Sequence, residues 1–154
     1  MSHTKMKLED EISQKRFRNE YHKATLNLIF TYNWLRSFQE KILKPKGITS
    51  QQFNILRILR GQHPKPANIK LIRERMLDRM SDCSRIVEKL RAKGLIERNI
   101  CPADRRHVDV IITKKGLSLL KELDPVTEEA DKFLSNLNEK EINQLNNLLD
   151  KLRG

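Results

Sequence analysis

One short stretch of this sequence does not match its surroundings, and it limits the choice of fold more than any other feature. "HVDVIIT" (107–113) is a dense run of Val and Ile preceded by "CPADRR", a turn-rich segment with two adjacent arginines. Upstream, "LIERNI" (95–100) is a second β-prone run, so the two read as one hairpin with a basic tip. Elsewhere the apolar residues recur at three and four positions, and five Gly and five Pro interrupt them rarely. The chain is therefore expected to be mostly α with a single small β element.

The helical pattern opens at about Glu9 and runs to Lys44. Leu28, Tyr32, Leu35, Phe38 and Ile42 form its main stripe, and Phe17, Tyr21, Leu26 and Ile29 extend the apolar surface towards the N-terminus. Pro45 and Gly47 end it. So long a helix, apolar along both edges, is expected to need a second chain. Thr49 with Gln52 is a capping box for the next helix, which buries Phe53, Leu56, Ile58 and Leu59 and closes at Gly61. Pro66 suits the first position of a third helix, "PANIKLIRERM", with Ile69, Ile72 and Met76 inward.

A fourth helix lies in "DRMSDCSRIVEKLRAKG", capped by Asp78 or Ser81 and stopped by Gly94. Cys83, Ile86, Val87 and Leu90 share its inner face, leaving Ser81, Asp82, Ser84, Arg85 and Lys89 outside. After the hairpin, Thr113 caps a helix that Asp124-Pro125 is expected to kink or restart. Asn138 and Glu141 open a last helix bearing Ile142, Leu145, Leu148, Leu149 and Leu152. The resulting division is 1–47, an N-terminal dimerisation helix; 48–115, a central lobe; and 116–154, C-terminal dimerisation helices. Phe17, Tyr21, Leu134, Ile142, Leu145 and Leu149 are the expected interface residues.

Charge narrows the partner. The 154 residues carry 31 Lys plus Arg against 20 acidic side chains, a formal +11. The surplus is uneven: residues 57–115 hold 16 basic and seven acidic groups, whereas 116–154 hold five and eight. A basic footprint of that kind suits a polyanion, nucleic acid above all. No apolar run approaches the ~20 residues that span a bilayer, and "MSHTKMKLEDEISQKRF" lacks the apolar core of a secretory signal. Cys83 and Cys101 fit neither a disulfide framework nor a zinc site, so reduced thiols and a cytoplasmic setting are expected. His3, His22, His63 and His107 are scattered, with no HExxH, CxxC or Gly-rich phosphate loop, which argues against an enzyme and against any metal or cofactor.

Short helices, a turn and a basic-tipped hairpin, in this order, make a winged helix-turn-helix. The fourth helix would enter a major groove, where Ser81, Asp82, Ser84, Arg85 and Lys89 could reach base edges or phosphate. A hairpin tip bearing Arg105 and Arg106 suits the negative potential of the minor groove.

Three motifs, "GITSQQFNILRIL", "SRIVEKLRAKGLIER" and "ADRRHVDVIITKKG", together make the chain resemble the MarR (multiple-antibiotic-resistance regulator) family of bacterial transcription factors over roughly residues 15–152. The resemblance implies a homodimer, held by its terminal helices, that binds pseudo-palindromic double-stranded DNA and usually represses. It implies that Arg106 is the wing-tip arginine of the minor groove and that Asp104 braces the wing by pairing with a nearby arginine. It also implies a base-reading role for 81–85. Lys65, Asn68 and Lys70 would contact phosphate, although "RGQHPKPANIKL" departs from the shorter, Ser/Thr-led entry common in the family. Family members often bind phenolic or other aromatic carboxylates between dimer helices and DNA-binding lobe, which makes Phe30, Trp34, Phe38 and Phe53 the pocket candidates. Cys101, near Arg98, Arg105 and Arg106, is the candidate for oxidant sensing. The alternatives to an effector-responsive regulator are a constitutive architectural or RNA-associated protein and an oxidant-sensing regulator acting through cysteine.

Overall fold

The hairpin forms where the apolar spacing places it, while the first helix is broken and one strand is added. The computed structural model describes residues 6–100, 102–104 and 106–154, and the chain divides into two units, Met1–Ser50 and Gln51–Gly154.

In the first unit, α1 (Leu8–Glu11) is a single turn and α2 (Glu20–Leu43) is the long helix. The continuous helix expected from Glu9 is broken. Ser13 takes φ 52°, and Asn19 is extended and accepts the His22 N–H at 2.9 Å, capping α2. A side-chain cap satisfies an orphan donor that periodicity cannot supply. Phe17 therefore sits outside the helix, half-buried and edge-on to the His22 ring at 6.0 Å. Lys23 joins α2 to α1 through Glu9; the contact holds the Glu9 carboxyl below its ordinary range and raises the lysine. A 3-10 turn, Lys44–Lys46, and Gly47 in the left-handed region end α2 where Pro45 and Gly47 led us to expect.

The second unit is built on α3 (Ser50–Gln62), β1 (Ala67–Asn68), α4 (Ile69–Arg75), α5 (Cys83–Ala92), β2 (Ile96–Ile100), β3 (Val108–Ile112), α6 (Lys114–Ala130) and α7 (Glu139–Arg153). The sheet is antiparallel in the order β1-β3-β2, with Ile96 opposite Ile112, Arg98 opposite Val110 and Ala67 also opposite Val110. Two strands were expected. The third pairs only two residues, and Asn68 then caps α4 by accepting the Leu71 N–H at 2.8 Å. Pro66 accordingly precedes a strand rather than starting a helix, and Gly61 lies inside α3 rather than ending it. On β3, Val108, Val110 and Ile112 alternate inward. They meet a core that includes Ile55, Leu56 and Leu59 of α3, Ile72 of α4, Val87 and Leu90 of α5, and Leu120 and Leu123 of α6. Ile55 takes an inward place, and Ile58 is only half-buried.

Helix α5 ends on Gly94 (φ 69°), whose N–H reaches the Arg91 carbonyl while the Leu95 N–H reaches that of Leu90. Thr113 caps α6 as expected, accepting the Gly116 N–H at 3.1 Å. The kink expected at Pro125 does not divide α6, which continues through it. Asp124 is held from outside by the Arg60 guanidinium at 2.9 and 3.0 Å, and the Thr127 hydroxyl donates to its carbonyl. These ties keep the turn helical despite the missing donor. The Asn138–Glu141 capping box opens α7, none of whose residues is buried. Among the described residues, no helix is long and apolar enough to cross a membrane.

Candidate nucleic-acid interface

The amphipathic pattern of α5 becomes a physical surface. Cys83, Val87 and Leu90 are buried, while Asp82, Ser84, Arg85 and Lys89 are exposed on the other side. Asp82, not Asp78 or Ser81, is the N-cap: its carboxylate accepts the Arg85 N–H at 3.1 Å. Asp78 instead shapes the turn before the helix. One of its oxygens accepts the Met80 N–H at 3.0 Å and the other the Ser81 hydroxyl at 2.7 Å, which holds its carboxyl below the ordinary range. Asn54 fixes the start of that turn by accepting the Leu77 N–H at 2.9 Å. Ser81 is thus half-buried with its hydroxyl engaged locally, whereas Ser84 and Arg85 face solvent. The Asp82 carboxylate at this cap offsets part of the positive charge of the helix N-terminus.

Cys83 is 2% exposed, and burial raises its thiol pKa more than the nearby Arg73 lowers it. It is a core residue.

The hairpin tip is turned by Asp104, whose carboxylate accepts the Arg106 N–H at 2.9 Å and whose carbonyl accepts the His107 N–H at 2.9 Å. Asp104 thus holds its own turn through the backbone amide of Arg106. The Arg106 side chain is exposed. Arg105 and Cys101, expected at this tip, lie outside the described residues. Beside the tip, His107 Nε2 is 3.3 Å from Asp109 Oδ1.

Several bonds fix the hairpin to α5. Arg98 on β2 is 3.5 Å from Glu88 of α5, and Glu88 also binds Arg91 at 2.6 Å; these cations keep its carboxyl below the usual range. At the base, the Thr113 hydroxyl donates to the Gly94 carbonyl at 2.8 Å and Lys115 Nζ to that of Lys93 at 2.9 Å. Lys93 in turn reaches Gln52 Oε1 of α3 at 3.0 Å. Helix α5 and the hairpin are thus fixed to one scaffold, which pre-organises both. Sequence reasoning missed Asn54 and Lys115 as positioning residues because their partners lie 23 and 22 residues away, and Glu88 because its tie to Arg98 forms only once β2 folds back beside α5.

The remaining candidates are scattered. Lys65, Asn68 and Lys70 are exposed around β1 and α4, with the Asn68 side-chain oxygen committed to its cap. Phe30, Trp34 and Phe38 lie on α2, Trp34 exposed and the other two half-buried. Phe53 is buried in the second unit, with the Arg57 guanidinium 5.7 Å from its ring centre. A cavity of about 480 Å³ is lined by Asp131, Leu134, Ser135, Leu137, Glu139, Ile142 and Asn143, and by none of those four aromatics. Among the described residues, no group of three or more His, Cys, Asp or Glu could hold a metal ion.

A family-level sequence comparison matches residues 46–107 to the MarR family. The crystal structure of a MarR transcription factor from Planctomyces limnophilus is 32% identical, covers 88% of this chain and 98% of its own, and superposes with a TM-score of 0.68. The chain belongs to the MarR family. The HTH-type transcriptional regulator MhqR of Bacillus subtilis is 27% identical over 122 residues, 79% of this chain and 83% of MhqR. BpsR of Bordetella bronchiseptica, whose DNA binding is regulated by 6-hydroxynicotinic acid, shares the fold at a TM-score of 0.76 and 24% identity, over 86% of this chain and 99% of its own. As a MarR-family member with a winged helix-turn-helix, the chain is a DNA-binding transcriptional regulator.

Proposed function

We propose that the protein acts as a homodimeric, sequence-specific repressor whose grip on a pseudo-palindromic operator is modulated by a small effector. One observation carries the proposal: α5 exposes Ser84, Arg85 and Lys89 over a fully apolar back, beside a hairpin whose Asp104-shaped turn presents Arg106. Short polar and cationic groups at the N-terminal end of a helix suit the major groove, and an arginine on a thin hairpin suits the adjacent minor groove. Lys65, Lys70 and Lys89 supply further cations for phosphate, and each contact releases counterions. Arg105 belongs to the same reading.

Self-association rests on apolar surface that a single chain leaves wet. Tyr21, Leu28, Ile29, Tyr32, Trp34 and Leu35 are exposed on the first unit, and Leu134, Leu145, Leu148 and Leu152 on the second. Segments 1–47 and 116–154 would pair two copies, with Phe17, Ile142 and Leu149 at the contact, and 48–115 would carry the DNA-binding lobe. Two reading heads must then span about one helical turn, ~34 Å. A ligand that alters this spacing weakens binding without any chemistry. The regulation of BpsR by a small aromatic acid makes this class of effector the first to try, with Phe30, Trp34 and Phe38 as its aromatic surface. A repressor of this kind works in the cytoplasm.

The test joins stoichiometry to sequence. Light scattering should give twice the 18.2 kDa chain mass. On the best duplex from an in vitro selection, Arg106→Ala should lose ~1–3 kcal/mol of binding free energy. A monomer at micromolar concentration, or unchanged binding by Arg106→Ala, would refute the corresponding part.

A further inference from the structure

The turn between α4 and α5 exposes two large apolar side chains that the fold itself does not use. Leu77 is 89% and Met80 94% exposed, whereas Met76, immediately before them, is buried. Nothing about this turn is loose. Its backbone is tied by the Leu77 N–H to Asn54, by the Met80 N–H and Ser81 hydroxyl to Asp78, and by the Ser81 N–H to the Asp78 carbonyl. An ordered backbone that holds apolar groups in water is costly unless a partner covers them.

Position and charge choose that partner. Met80 lies two residues before Asp82, the cap of the base-reading helix, so at most about 7 Å of backbone separates it from the first turn that would enter the groove. Around the turn, exposed Arg73, Arg75, Arg79 and Arg85 alternate with exposed Glu74, Asp78 and Asp82, so the pull on a polyanion comes from the wider stretch 57–115, with its 16 basic and seven acidic side chains. The major groove offers one apolar group, the C5-methyl of thymine. An unbranched thioether adapts its shape to such a target.

We infer that Met80, with Leu77 beside it, reads thymine C5-methyl groups in the major groove and so helps set operator sequence. The inference rests on the DNA-binding reading above. It adds an apolar readout to the polar one of Ser84 and Arg85, and it explains why the turn is hydrogen-bonded so thoroughly: a methyl contact needs a fixed height above the groove floor.

The experiment removes the methyl without touching a hydrogen bond. Each thymine of a duplex selected by the full-length protein is replaced singly by deoxyuridine, and affinities are measured for wild type, Met80→Ala and Leu77→Ala. At one or two positions per half-site the wild type should lose about fourfold, the worth of one buried methyl. Met80→Ala should bind the thymine and deoxyuridine forms equally there, with its melting temperature unchanged because the side chain packs on nothing. Arg106→Ala should keep the full deoxyuridine penalty. A preferred duplex whose thymine methyls are silent, or a Met80→Ala protein that keeps the penalty, overturns the inference and leaves the regulator reading intact. If no preferred duplex emerges, both fall together.

Discussion

Gly116→Ala should destabilise the protein, although the same exchange usually strengthens a helix. Gly116 lies in the first turn of α6, and a Cβ there would stand 2.4 Å from the Leu95 carbonyl oxygen and 2.7 Å from Ile112 Cγ1. Comfortable C···O contacts lie near ~3.3 Å, so about 0.9 Å of separation must be found. It must come from backbone, because that carbonyl already accepts the Thr113 N–H at 3.1 Å at the base of the hairpin. Overpacking of this kind costs ~1–3 kcal/mol, and a backbone neighbour that cannot swing aside places it at the upper end. Helix propensity returns at most ~1 kcal/mol, leaving a net loss of about 2 kcal/mol. For a chain of this size that lowers Tm by ~4–8 °C, read by calorimetry at fixed protein concentration because association shifts Tm. Gly61→Ala is the internal control: it lies within α3 with nothing inside 4 Å of its added methyl, so it should raise Tm by up to ~2–4 °C. A Gly116→Ala protein as stable as wild type would refute the close-approach argument.

Other consequences follow from the same contacts. The Arg60–Asp124 pair, 32% and 41% exposed, should show a double-mutant coupling of only ~0.5–1 kcal/mol in urea unfolding, since solvent screens it; zero coupling would remove it as an anchor of α6. In a Cys101→Ser background, Cys83 should resist thiol reagents at neutral pH until the protein unfolds, and prompt labelling would show it is not core. Because its folded pKa is raised, the stability it contributes is full below the unfolded thiol's pKa and is lost as pH rises through the folded value. Asp78 has the opposite sign. Its lowered pKa makes its contribution present above the unfolded carboxylate's pKa and lost as pH falls through the folded one, so the protection of the Met80 amide, taken relative to its intrinsic exchange rate at each pH, should fall in acid and in Asp78→Ala. Exchange at Met80 that ignores both changes would contradict the tied turn.

What could be read in advance was local. The β2–β3 hairpin, the inner face of α5 (apart from Ile86, which is only half-buried), and the caps at Thr113 and Asn138 each depend on residues within a few positions and appear as their spacing suggests. Strand β1 was invisible because two residues carry no period; it exists only because β3 presents a free edge to Ala67 and Asn68. The break before α2 was hidden by an apolar stripe that continues across it, although Asn19 was a readable cap signal. Pro125 misled because the Arg60 tie that helps hold its turn comes from α3, 64 residues before Asp124. The interface divided in the same way. Amphipathicity predicted which α5 residues face out, but not that Asp104 bonds an amide, nor that Leu77 and Met80 stand exposed, since exposure in a turn depends on what fails to pack against it.

The regulator reading stands or falls on discrimination between sequences. Wild-type protein should be titrated, at one moderate salt concentration, against its selected inverted repeat and against a scrambled duplex of equal length and composition. The account predicts at least ~10³-fold tighter binding to the repeat, at two chains per site. Equal affinity for both duplexes would contradict it and leave a basic protein that holds DNA without reading it.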